Sequence, residues 1–83
     1  MASIEERIHR IVSDLFDVPV ETVNDEQSPD TLQKWDSIAH INLVLSLEQE
    51  FGISLSPEDA SEILSVRLIK IILSEYGVPV AAP

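Results

Sequence analysis

The sequence predicts an all-α bundle of three main helices and one short one, with a long loop between the first two. Three observations carry that expectation. Apolar residues recur at helical spacing in three separate stretches, and no segment alternates as a strand does. Serines or acids stand at each predicted helix start, while glycine or proline stands at the stops of the three main helices. Aromatic residues make up only 5% of a chain that is 45% hydrophobic, which fits an aliphatic helical core. At 83 residues the chain is read as one domain with a modest core over about 4–76 and a frayed tail at 78–83.

The first helix opens on Ser3 and Glu6, which have capping-box spacing. Ile4, Ile8, Ile11, Val12 and Leu15 then form its apolar stripe, with Phe16 beside it. Glu5, Glu6, Arg7, Arg10 and Asp14 take the opposite face, and His9 is read there as a solvated side chain. Pro19 closes the segment, because its ring and missing N–H do not suit a helix interior. Residues 17–36 form a connection long enough to imply a job. One helical turn is expected near Pro19–Val23, with Val20 and Val23 as pins and Leu32 and Trp35 as later anchors. Asp25, Glu26 and Asp30 do not form a calcium loop: there is no glycine for the turn and no alternating ligand spacing.

The second helix is expected from Ser37 to Phe51, stopped by Gly52. Leu43, Val44, Leu47 and Phe51 gather on one face as core, and Ile38, Ile41 and Leu45 make a second apolar row that either widens the core contact or is a surface offered to partners near Ser37. Ser56-Pro57-Glu58-Asp59 starts a short third helix ending near Ile63 or Leu64. Ser65 caps a fourth with Val66, Ile69, Leu73 and Tyr76 inward, broadened by Leu68, Ile71 and Ile72, before Gly77 and Pro79 end it.

Composition excludes several functions. Fifteen acids stand against five lysines and arginines; a net charge of −10 disfavours nucleic acid and anionic membranes, and it either favours partners with basic docking patches or merely keeps a small protein soluble. There is no cysteine, so any thiol chemistry needs a thiol brought in from outside. No signal peptide or membrane span is read, and a cytoplasmic monomer is expected. Asp36, Ser37 and His40 include triad residue types, but no nucleophile elbow or Gly-rich oxyanion hole accompanies them. His40 is read as a packing or capping histidine, and no enzyme activity is expected.

Ser37 follows Asp36 where the polar loop meets the second helix, so its hydroxyl is expected at an exposed helix start. Taken alone, such a serine is more often an N-cap, and Asp36 is also a plausible cap. The run Asp36-Ser37-Ile38, with the later Leu47-Glu48-Gln49-Glu50-Phe51-Gly52, resembles the prosthetic-group region of acyl carrier proteins, with isoleucine in place of the usual leucine. The order of helices is similar over nearly the whole chain. The resemblance implies a 4′-phosphopantetheine taken from coenzyme A and attached to Ser37. It also implies a phosphopantetheinyl transferase, whose metal Asp36 helps to place, and acyl-loading and acyl-transferring enzymes; their docking is expected at Asp36, Ile38, Ile41, Leu45 and Glu48, from the helical phase of the apolar row and the acids near Ser37.

One departure narrows the expectation. Fatty-acid carriers carry acids two and five residues after the modified serine, where this chain has Ala39 and Asn42. That points to a dedicated pathway, polyketide, unusual lipid or acyl transfer, rather than the general fatty-acid machinery. An aminoacyl or peptidyl carrier is the near alternative, although Lys34-Trp35-Asp36 lacks the Gly-rich approach usual there. A non-catalytic acidic helical adaptor without prosthetic group is the alternative from another class.

Overall fold

The computed structural model describes residues 3–29, 31, 32 and 34–80. Four helices follow one another: α1 (Ile4–Phe16), α2 (Ser37–Phe51), α3 (Pro57–Ser61) and α4 (Val66–Glu75). A single 3₁₀ turn, Val20–Thr22, interrupts the long loop, and no strand occurs among the described residues.

Side chains close every helix start. Ser3 accepts from the Glu6 amide, Asp36 from Ala39, Ser56 from Asp59 and Ser65 from Leu68, each satisfying an amide the helix itself cannot. Gly52 ends α2 in the left-handed region at φ 65°, and Asp17 does the same after α1 at φ 55°. The first helix thus stops at Asp17, two residues before Pro19. The third is shorter than its pattern predicts, because the Glu62 amide turns back to the Asp59 carbonyl. Ile63 nevertheless lies fully buried from the link that follows.

The core gathers Ile8, Val12 and Phe16 from α1, Leu43 and Leu47 from α2, and Val66, Ile69, Ile72 and Leu73 from α4. Phe16 is therefore central to its stripe rather than beside it, and Ile4, Ile11 and Leu15 sit at the margin. Val23 and Trp35 anchor the loop as expected, whereas Val20 is exposed. The tail is not frayed from residue 78: Val78 is buried and Val80 packs on the core. Residues 81–83 lie outside the described part.

The loop has an identifiable job. The Gln27 and Asp25 carbonyls accept from the Val66 and Arg67 amides, so the loop caps α4 with its own backbone. It also brings Asp25 onto Lys70 of α4, a charged residue 3% exposed. Lys70 Nζ stands 2.6 Å from Asp25 Oδ1 and 2.9 Å from Glu5 Oε1. Burial works against the Lys70 charge, but the hydrogen bonds to Asp25 and Glu5 outweigh it and its pKa is raised. The same bonds hold the Glu5 and Asp25 carboxyls below their ordinary range.

His9 lies against this cluster instead of in solvent, which corrects its expected place on an open polar face. Its Nε2 is closed off from water, has no hydrogen-bond partner among the described residues, and sits 3.9 Å from Glu5 Oε1. Burial first, and the Lys70 charge second, push its pKa down.

A pH dependence follows, with one sign on the acid side. A depressed histidine favours the unfolded chain as proton acceptor, so its contribution is present above about pH 6.5 and lost below. The depressed carboxyls extend the loss as the pH falls further. Melting temperature should fall from pH 8 to pH 5, at up to about 1.4 kcal/mol per pH unit for each proton taken up on unfolding. His9→Gln should flatten the portion between about pH 7 and 5. Thermal melts that are parallel for the two proteins would refute the assignment.

Candidate functional site

Ser37 is the first residue of α2 and is exposed. The capping work falls to Asp36: its Oδ1 accepts from the Ala39 amide at 2.9 Å, and its carbonyl accepts from His40. An N-cap role for Ser37 is thereby removed. Its hydroxyl has no hydrogen-bond partner among the described residues and stands at the positive end of the α2 dipole. Such a place suits an anion joined to the serine oxygen, so the residue present fits a phosphodiester-linked group.

The approach to Ser37 is firmly held. The Trp35 indole stacks on Phe16 with ring centroids 4.9 Å apart at 17°. Its Nε1 donates to His40 Nδ1 at 3.0 Å, and His40 Nε2 meets the Ala60 carbonyl at 2.7 Å. His40 therefore links loop, α2 and α3, as a packing histidine does. Both ring nitrogens are engaged, so neither is free to act as base toward Ser37.

Beside the serine a depression of about 520 Å³ is walled by Pro29, Trp35, His40, Ile41, Ser61 and Leu64. A second, of about 300 Å³, shares His40, Ile41 and Ser61 with it and continues to Val44, Leu45 and Pro57. Together they form a mainly apolar groove between α2 and α3, within the size range of ligand pockets.

The outer α2 row is in the open: Ile38 is 72% exposed, Ile41 59% and Leu45 50%. Leu64 joins them from the link after α3, a neighbour the helix pattern does not reveal because it places Leu64 at the end of α3. Glu48 is differently engaged: its carboxylate accepts from the Leu55 amide at 2.8 Å and pins the link after α2. Glu50 is held by Arg7 at 2.6 Å, with the guanidinium also over Phe51. Asn42 is exposed, but Ala39 packs against the core. Among the acids of the long loop, Asp25 is paired with Lys70 and Glu26 with Arg67, while Asp30 lies outside the described residues. No group of three or more metal-binding side chains converges among the described residues.

Comparison with known proteins identifies the family. The family model for the phosphopantetheine attachment site matches residues 6–70. An acyl carrier protein of Nitratidesulfovibrio vulgaris (strain Miyazaki F) is 37% identical over 65 residues, covering 78% of this chain and 86% of its own. One of Buchnera aphidicola subsp. Acyrthosiphon pisum (strain Tuc7) is 38% identical over 68 residues, 81% of this chain and 84% of its own. The chain therefore belongs to the acyl carrier protein family, non-catalytic carriers that bear a covalently attached 4′-phosphopantetheine.

Proposed function

We propose that Ser37 carries the 4′-phosphopantetheine and that the chain shuttles acyl groups, as thioesters, between enzymes of a dedicated cytoplasmic pathway. Family membership implies two kinds of partner, a phosphopantetheinyl transferase and acyl-handling enzymes. The observation that carries the reading is the unpartnered, exposed Ser37 hydroxyl beside a capping Asp36.

In the loading step the Ser37 oxygen forms a bond to the β-phosphorus of coenzyme A. The pyrophosphate P–O bond breaks, 3′,5′-adenosine bisphosphate leaves, and the serine proton passes to the transferase. This chain contributes a placed nucleophile and a helix dipole, while charge neutralisation falls to the enzyme and its magnesium. Once attached, the group supplies the thiol that the sequence lacks.

The chain has no cysteine, which makes the test direct. Incubation with coenzyme A, magnesium and a broad-specificity transferase should add one phosphopantetheine to the intact mass. The same sample should titrate one thiol per chain, up from none. An unchanged mass would favour the adaptor reading.

Docking in this reading uses Asp36 and the row Ile38, Ile41 and Leu45, with basic partner surfaces meeting the acidic molecule; Glu48 contributes charge from the far end. From Ser37 to Leu47 α2 bears no formally charged side chain, so the general fatty-acid machinery lacks its usual anchors there. Asn42→Glu restores one on an open surface, whereas Ala39→Asp would disturb core packing. The expected result is malonyl loading by a general transacylase several-fold faster for Asn42→Glu at low salt, an advantage that fades as salt rises. Wild-type loading as fast as that of a housekeeping carrier would remove the dedicated-pathway reading.

A further inference from the structure

We propose that His40 is a positioning residue for the loading of Ser37, tying the end of the long loop to α3 so that Asp36 and Ser37 meet the transferase already ordered. The proposal rests on Ser37 being the attachment site.

Two hydrogen bonds carry the argument. The Trp35 indole can only donate, so His40 Nδ1, 3.0 Å away, must accept. The imidazole proton then sits on Nε2, which donates to the Ala60 carbonyl at 2.7 Å. The ring is thus a neutral bridge with one fixed tautomer. Trp35 is clamped from the other side by Phe16 of α1. Contacts from α1, the loop, α2 and α3 therefore converge on the residue immediately before Asp36.

Trp35 is buried in the core and Leu32 packs beside it, but among the described residues the His40 bridge is the one side-chain hydrogen-bonded link from residues 31–35 to α2 and α3. The neighbouring Lys34–Asp17 ion pair is exposed, and such pairs contribute little in water. Without the His40 bridge, the segment entering Ser37 must be ordered when the transferase binds. That ordering entropy opposes complex formation but leaves the bound geometry unchanged, so KM should rise while kcat holds. A histidine with a purely structural role would lower the melting temperature and leave KM of the folded protein unmoved.

The test uses the full chain with a phosphopantetheinyl transferase and coenzyme A, at a temperature where circular dichroism shows every variant folded. Trp35→Phe keeps a ring on Phe16 but removes the indole N–H, and His40→Ala removes both bonds. Each should raise KM about five- to tenfold with kcat within about twofold; tenfold corresponds to about 1.4 kcal/mol. The double variant should be no worse than His40→Ala alone, because both substitutions break one link. His40→Asn, which keeps an acceptor near the Nδ1 position, should lie between His40→Ala and wild type. Imidazole ¹⁵N shifts of the wild type should report the Nε2–H tautomer.

An unchanged KM in folded variants, multiplicative losses in the double variant, or an Nδ1–H tautomer would each overturn the proposal. Failure of the attachment assignment looks different: Ser37→Ala would then be loaded as well as wild type.

Discussion

Ser37→Ala is expected to abolish the gain of phosphopantetheine completely while leaving the fold intact. On the proposed attachment no graded loss is available, because the oxygen removed would be the atom that forms the new bond. The substitution should also be almost silent in stability. The hydroxyl has no hydrogen-bond partner among the described residues, the side chain is exposed, and the cap that starts α2 belongs to Asp36. Exposed substitutions of this kind fall within about 0.5 kcal/mol. Asp36→Ala makes the contrast: loss of a cap costs about 1 kcal/mol, and loading should slow without vanishing. Intact mass and thermal melts on the same samples separate the two. A modified Ser37→Ala protein would place the attachment elsewhere.

Leu47→Ala should have the largest effect on stability, about 2–5 kcal/mol. Leu47 is fully buried among side chains from the other helices, and a cavity there cannot be relieved by solvent. For a domain of this size each kcal/mol moves the midpoint by roughly 4–8 °C, so the melting temperature should fall by tens of degrees. Ile41, six residues earlier on the same helix, is more than half exposed. Its truncation should cost about 0.5 kcal/mol or less yet slow transfer to and from partner enzymes. The pair of melts asks whether α2 has one buried face or two apolar rows with different jobs. Equal destabilisation would merge them.

Much of this was legible in the sequence because the signals are local. Ser3, Asp36, Ser56-Pro57, Ser65 and Gly52 each act within one turn of where they stand, and each does so in the structure. The exposure of Ser37 follows from the same local logic. What escaped was long-range. Lys70 falls outside the apolar stripe of α4, and only the loop crossing α4 and the nearness of α1 bury it against Asp25 and Glu5. His9 lies within the field of Lys70 and Asp25 as well as of Glu5 in its own helix, so its place depends on that crossing too. Glu48 belongs to a helical polar position, but its partner is an amide seven residues on, reached after the chain has turned at Gly52. Helical phase turns His40 toward the core side, as a packing histidine requires. That its second nitrogen would reach Ala60 depends on where a five-residue helix sits, which periodicity does not encode.

The charge-free front of α2 has a colloidal consequence. Ile38, Ile41, Leu45 and Leu64 would be sticky on a neutral protein, and two such faces could stack on each other. A body carrying −10 keeps copies of itself apart over roughly the screening distance, about 10 Å at 0.1 M salt, while still admitting a cationic visitor. The acids elsewhere on the molecule thus act as a collective guard for the apolar row, and the guard weakens as ionic strength climbs.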